Sequence, residues 1–184
     1  MPTGSPSGAE AETATTILTV GHSNRPASEF LELLRAHGVQ RLIDVRTFPG
    51  SRRNPQFDAE TLSRALEAAG IEYRHEPELG GLRRPSPDSL NTGWKNPGFR
   101  AYADHMQSDA FRDRLGALVE SATPGTVLMC AEAVPWRCHR SLLSDALLAR
   151  GIEVRHIIGP KQREHTISPH ARVQDGRVAY PALL

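Results

Sequence analysis

Residues 17–46, ILTVGHSNRPASEFLELLRAHGVQRLIDVR, decide the fold. ILTVG (17–21) is a short apolar run that ends in glycine. In residues 26–38, Phe30, Leu33 and Leu34 recur at helical spacing and Gly38 stands where a helix stops. RLIDVR (41–46) is apolar again, so the order is strand, helix, strand. The pattern continues outward from there. A polar stretch leads to a helix over 58–70, which Asp58 is placed to cap, and then to the strand IEYRHE (71–76). Beyond a Gly- and Pro-rich loop at 77–97, Phe99 to Glu120 read as one broken helix or two short ones. GTVLMC (125–130) reads as a buried strand, CHRSLLSDALLARG (138–151) as a helix and IEVRHII (152–158) as a further strand. This alternation predicts an α/β single domain: a mostly parallel, Rossmann-like sheet with helices on both faces. In the tail, ARVQDGRVAYP (171–181) carries Asp175 and Gly176 as a hairpin turn.

At 184 residues with 39% hydrophobic content, the chain is long enough for one core and too apolar to be wholly disordered. No run approaches the roughly 18 apolar residues that a membrane span requires, so no membrane partner is expected. Residues 1–15, MPTGSPSGAEAETAT, are small and polar and are expected to form a disordered leader ahead of a domain over 16–184. Two cysteines are too few for a disulfide scaffold and no secretory signal opens the chain, which together predict a reducing, cytoplasmic setting. The net charge of +1 hides a large guanidinium inventory: two of the 22 basic residues are lysines, Lys95 and Lys161, which leaves 20 arginines. A base-composition bias would produce this; so would selection for groups that grip phosphate or carboxylate with paired hydrogen bonds.

In a doubly wound sheet the ligand crevice lies beyond the carboxyl ends of the strands. The residues that follow the four strand ends here are strongly polar. His22, Ser23, Asn24 and Arg25 follow the first strand; Asp44, Arg46, Arg52, Arg53, Asn54 and Gln56 close and follow the second. His75, Glu76, Glu78, Gly80 and Gly81 follow the third, and Cys130, Glu132, Trp136, Arg137, Cys138, His139 and Arg140 the fourth. MCAEAVPWRCHR (129–140) is the most informative segment, because it sets a thiol at a strand end, a carboxylate two residues on, and arginines where a helix begins. Helix N-termini offer free amides and partial positive charge, so this loop suits phosphate or carboxylate.

Three chemistries could use it. A cysteine, a loop and an arginine form the design of phosphatases and sulfurtransferases, and LIDVR is similar to strings in rhodanese-type sulfurtransferases. Against that reading, six residues separate Cys130 from Arg137, one more than a tight anion cradle uses, so neither cysteine is expected to be a nucleophile. Zinc could draw on Cys130, Cys138, His139, His22, His165 and His170, but no C-x-x-C pair or two-histidine turn is present, and neither metal nor cofactor is expected. The third reading joins arginines to aromatics and carboxylates. Arg46, Arg52, Arg53, Arg83, Arg84, Lys95, Arg100, Arg137 and Arg140 interleave with Phe57, Trp94, Phe99, Tyr102 and Trp136, a composition that suits a phosphodiester strand with an unstacked base. Asp44 or Glu132 would then stabilise a cationic sugar or activate water.

Read together, TVGHSNR (19–25), LIDVRTFPGSRRNPQF (42–57), PELGG (77–81), WKNPGFRAYADHM (94–106), MCAEAVPWRCHRSLLSDAL (129–147) and HTISPHARV (165–173) resemble the domain-of-unknown-function 488 family. The resemblance spans roughly Thr16 to Pro181 and departs mildly at Ala101, where glycine is expected, and at His105, where tyrosine is expected. It implies a compact α/β domain and an association with DNA repair by excision of alkylated pyrimidine bases. On this basis the expected function is that of a DNA glycosylase acting on single-stranded or damaged DNA, with no obligate protein partner. The alternatives are a cysteine-dependent anion enzyme and a non-catalytic nucleic-acid-binding module.

The motif positions carried over are His22, Ser23, Asn24, Asp44, Arg46, Arg52, Arg53, Asn54, Gln56, Phe57, Glu78, Gly80, Gly81, Tyr102, Cys130, Glu132, Arg137, Cys138, His139 and Arg140. With Trp136 from the rim, these are the candidate site. Asp44, inside an apolar strand, is the first candidate for the catalytic carboxylate, unless it merely pairs with Arg46; Glu132 is the second. Asn24, Asn54 and Gln56 have amides able to read a base edge, and Arg46, Arg52, Arg53 and Arg137 would hold phosphates.

Overall fold

The computed structural model describes residues 15–182. The expected leader therefore lies, but for Thr15, outside the described residues. The chain runs β1 (Thr16–Gly21), α1 (Ala27–Ala36), β2 (Arg41–Asp44), α2 (Ala59–Ala68), β3 (Glu72–His75), α3 (Pro97–His105), α4 (Asp109–Ser121), β4 (Thr126–Cys130), α5 (Arg140–Leu148), β5 (Glu153–Ile158) and β6 (Lys161–Glu164), with a terminal hairpin of β7 (Arg172–Gln174) and β8 (Arg177–Ala179). Six strands form one sheet in the order β3-β2-β4-β1-β5-β6, parallel except for β6, which runs antiparallel to β5. This is the mixed α/β, Rossmann-like domain that the alternating pattern predicts. No helix among the described residues is long and apolar enough to cross a membrane.

Helices cover both faces, and the strands show why. Successive side chains on a strand point to opposite sides. In β4, Val127 and Met129 join one core with Phe30 and Leu34 of α1 and Leu62 and Leu66 of α2, while Leu128 and Cys130 join the other with Tyr102, Phe111 and Leu142 from α3, α4 and α5. All five β4 residues are buried, which accounts for the continuous apolar run in a strand covered on both sides.

One local expectation is corrected. Asp58 stands at the start of α2 but does not cap it through its side chain; its Oδ1 instead accepts from the Ser51 amide at 2.8 Å, tying down the loop after β2. Leu33, half-buried, packs against the core that holds Phe30 and Leu34, as its helical spacing predicts. The segment from Phe99 to Glu120 resolves as two helices, the second capped by the Ser108 hydroxyl accepting from the Phe111 amide. At the β7–β8 turn Asp175 and Gly176 both take positive φ (51° and 71°), the geometry a tight hairpin requires.

The strand order positions the site. Because β4 inserts between β2 and β1, the carboxyl ends of these three strands lie side by side, with Gly21 opposite Cys130 and Asp44 opposite Met129. This is a point where the winding direction changes, and the loops leaving the strands there splay apart into a crevice.

Candidate functional site

Gly21 is glycine because the loop leaving β4 passes directly over the end of β1. A Cβ at this position would stand 1.7 Å from the carbonyl oxygen of Glu132. The loop, Ala131 to Ala133, is exposed and separates two clefts. The first, of about 330 Å³, is lined by Arg46, Thr47, Phe48, Gly81, Leu82, Asn96, Gly98, Phe99, Cys130, Ala131, Glu132, Arg137, Cys138 and His139. Its neighbour is lined by His22, Ser23, Arg46, Phe48, Gly50, Ser51, Asn54 and the same Ala131–Ala133 loop. Glu132 and Arg46 belong to both. Gly81 is required for close approach as well, since a Cβ there would meet the His139 ring at 2.4 Å.

Asp44 is the main correction to the expected site. It has no solvent exposure and lines neither cleft. Its Oδ1 accepts from Arg46 Nε (2.8 Å) and from the Arg46 amide (3.1 Å), and its Oδ2 accepts from Arg46 Nη2 (2.6 Å) and the Tyr73 hydroxyl (2.9 Å). A carboxylate engaged in this way positions its partner rather than meeting substrate. Arg46 in turn donates from Nη2 to the Phe57 carbonyl and from Nη1 to His22 Nε2 at 3.3 Å, so it contributes a fixed charge to the cleft wall instead of a mobile phosphate arm.

His22 completes this platform. Its Nδ1 donates to the Ser23 carbonyl at 2.6 Å, which leaves Nε2 to accept from Arg46, and its ring stacks on Phe57 at 4.2 Å. Burial, with the Arg46 charge adding to it against the Ser23 carbonyl, holds the imidazole neutral down to about pH 4. Ser23 beside it adopts φ 54°, an uncommon conformation for a residue with a side chain.

Arg140 is corrected in the same way. Expected at an anion site, it is 1% exposed, donates from Nη2 to the Glu132 carbonyl at 2.7 Å and from Nη1 to Thr19 Oγ1. It is a strut under the loop that carries Glu132. Behind it runs a buried polar chain: Thr19 Oγ1 meets His156 Nδ1 (2.7 Å), His156 Nε2 meets His165 Nδ1 (3.0 Å), and His165 Nε2 donates to Asp145 Oδ1 (2.7 Å). Asp145 also accepts from the hydroxyls of Ser168 and Tyr180, so the HTISPH segment locks the sheet to α5. Burial and the neighbouring His165 hold His156 neutral down to about pH 3.

A measurable consequence follows for stability. An unfolded histidine takes up protons near its ordinary 6.5, whereas folded His22 and His156 refuse them until about 4 and 3. Stability is therefore full above about pH 6.5 and falls as pH drops from there, each group adding up to about 1.4 kcal/mol per pH unit within its window. Urea midpoints at pH 7.5 and 5.0 should show this loss. His22→Gln, whose amide oxygen can still accept from Arg46, should remove the His22 share; a flat profile in the parent protein would refute the assignment.

The remaining candidates divide. Phe57 and Tyr102 are buried in the two cores, the Tyr102 hydroxyl donating to the Leu79 carbonyl; they shape the site from beneath and touch no cleft. Asn24, Arg52, Arg53, Gln56 and Glu78 line neither cleft, Arg52 and Arg53 being exposed on the loop after β2 and Gln56 Nε2 donating to the Arg25 carbonyl. Trp136 faces away into a third cleft, where Arg163 lies over its ring at 5.7 Å. Brought together around the two facing clefts are His22, Ser23, Arg46, Asn54, Cys130, Glu132, Arg137, Cys138 and His139. The sequence reading missed Thr47, Phe48, Leu82 and Asn96. Phe48 is 74% and Leu82 68% exposed, and two apolar side chains set in polar loops at strand ends are the signal that could have found them. Of the possible zinc ligands, Cys130, Cys138 and His139 come together, but among the described residues no group of three or more His, Cys, Asp or Glu is arranged to hold a metal ion.

The fold and this crevice define an α/β domain with a small, arginine-walled cleft at the switch point of a parallel sheet. The chain belongs to the family described as domain of unknown function DUF488, whose model matches residues 26–147. No curated protein and no solved structure matches it.

Proposed function

We propose that this protein is a DNA glycosylase that receives an alkylated pyrimidine base in the first cleft, beside Phe99 and Cys130, and hydrolyses its N-glycosidic bond, acting in the reducing cytoplasm. The observation that carries this reading is the meeting of one exposed carboxylate, Glu132, with a cleft of about 330 Å³ walled by Phe48, Leu82 and Phe99 and flanked by Arg46 and Arg137. That volume lies near the lower end of the roughly 300–1,000 Å³ range of small-molecule pockets, the scale of a single heterocycle. Aromatic and aliphatic walls suit the faces of an extruded base, and the exposed Phe48 is placed to fill the gap that extrusion leaves in the stack. Glu132 would stabilise the oxocarbenium-like sugar and take a proton from the attacking water. Arg137, with exposed Arg52 and Arg53 nearby in sequence to the second cleft's loop, would bind backbone phosphates.

The test is incubation with oligonucleotides carrying a panel of alkylated pyrimidines, scoring free base and alkali-labile sites. Release of base is the expected result, together with binding that weakens with salt at a slope of roughly −0.7 to −0.9 per phosphate contact in log–log form. Binding without release would leave a nucleic-acid-binding module. Salt-independent or absent binding, with sulfur transfer from thiosulfate to cyanide, would favour the cysteine-dependent anion enzyme.

A further inference from the structure

Cys130 closes β4 and Cys138 immediately precedes the His139–Arg140 start of α5, and across that loop their Sγ atoms stand 2.7 Å apart. Non-bonded heavy atoms pack at about 3.5–4.0 Å, so the two sulfurs are already in intimate contact. The Arg140 amide, in the first turn of α5, donates to Cys138 Sγ at 3.4 Å, and His139 Nδ1 lies 3.5 Å from the same sulfur. Both cysteines are free, and although nearly buried both form part of the wall of the first cleft, so a small molecule entering it comes up against the pair.

We propose that Cys130 and Cys138 form a reversible dithiol–disulfide centre whose oxidant is a small hydroperoxide entering the cleft, with Cys138 attacking and Cys130 resolving. This departs from the expectation that neither cysteine is a nucleophile, which rested on the loop between Cys130 and Arg137 and not on the contact of the two sulfurs. The two thiols are unequal in the sense this requires. Burial opposes ionisation of Cys138, but hydrogen bonds from Cys130 and His139 and the charges of His139 and Arg140 outweigh it and hold this thiol well below the ordinary range. Burial and the hydrogen bond to Cys138 push Cys130 well above it, so Cys130 keeps its proton until the second step.

In the first step Cys138 Sγ attacks the outer peroxide oxygen and the O–O bond breaks. The leaving alkoxide or hydroxide takes a proton, and Cys138 becomes a sulfenic acid. In the second, Cys130 Sγ attacks Cys138 Sγ, the S–O bond breaks, and hydroxide leaves with the Cys130 proton as water. The dithiol has lost two electrons to the peroxide, and an external thiol restores it by exchange. This inference is independent of the base-excision reading, because no nucleic acid takes part.

The chain contains no other cysteine, which makes the experiment direct. Reduced full-length protein is treated with equimolar hydrogen peroxide, quenched with catalase, unfolded, alkylated with N-ethylmaleimide and weighed intact. The expected result is the joint loss of both alkylation sites with a mass lower by two hydrogens, in a monomer, reversed by dithiothreitol. Trypsin cutting after Arg137 should then leave the peptide holding Cys130 linked to the one holding Cys138. Cys130→Ser should stop at a Cys138 sulfenic acid that dimedone captures, and Cys138→Ser should slow peroxide consumption at least about a hundredfold. The linked peptides come from the parent protein and need no variant to fold. Two alkylatable thiols after peroxide, a disulfide between chains only, or sulfinic acid without an internal disulfide would each overturn the proposal.

Discussion

Glu132→Gln is expected to lower base release at least about a hundredfold while leaving the protein folded and bound to DNA. The substitution keeps the shape of the side chain and removes its charge. A positioned carboxylate contributes about 10²–10⁴-fold through proton transfer, and more where it also stabilises developing positive charge on a sugar. The separation of effects comes from the structure. Glu132 is exposed, and the loop is held through its backbone, by the Arg140 guanidinium donating to the Glu132 carbonyl, so the side chain can change without loosening the loop. Exposed substitutions of this kind usually shift stability by no more than about 0.5 kcal/mol. Removing a negative charge beside Arg137 should also hold or tighten phosphate binding. Single-turnover release measured with saturating enzyme would isolate the chemical step. Full activity in folded Glu132→Gln would mean that another group supplies the charge.

The sheet and its helices were legible because their signals are local. The parallel strands β1, β2 and β4, buried on both faces, read as apolar runs, and α1, α2 and α5 have apolar stripes followed by glycines. β6 was not legible: Lys161, Gln162, Arg163 and Glu164 are all exposed, so this edge strand has no apolar alternation and exists only through its pairing with β5. The position of the crevice was legible for a topological reason, since a parallel α/β sheet opens at its carboxyl edge. Which polar residues turn into the opening was not. Arg46, Arg137 and Arg140 are chemically identical in a sequence, yet only Arg137 remains exposed, because Arg46 pairs with Asp44 two residues away and Arg140 turns back to the Glu132 carbonyl. The Asp145–His165–His156 chain joins three elements and leaves no spacing in the sequence. The sulfur pair was hidden similarly: the interval from Cys130 to Cys138 matches no thiol motif and becomes informative only once the loop is seen to fold back from β4 to α5.

Asp44→Asn is expected to unfold the protein more readily by about 3–5 kcal/mol, the cost of leaving a buried guanidinium without its counter-charge. Side-chain exposures of 0% for Asp44 and 8% for Arg46 leave water little part in compensating. Arg46 would retain the His22 ring nitrogen and the Phe57 carbonyl as acceptors, and neither carries a negative charge. For a chain of this length the loss corresponds to a fall in Tm of roughly 10 °C or more. The prediction distinguishes a structural carboxylate from a catalytic one, because a catalytic Asp44 would give a folded, inactive variant with nearly unchanged Tm. A paired replacement, Asp44→Leu with Arg46→Met, sharpens the test. Replacing both members of a buried ion pair with apolar groups is often neutral or better, so the double variant should recover much of the stability that the single one loses. It should nevertheless show weaker DNA binding, since the fixed positive charge shared by the two clefts would be gone. Recovery of stability without that weakening would confine the Asp44–Arg46 pair to the folding of the β2 end and leave Arg137 as the charge that meets the substrate.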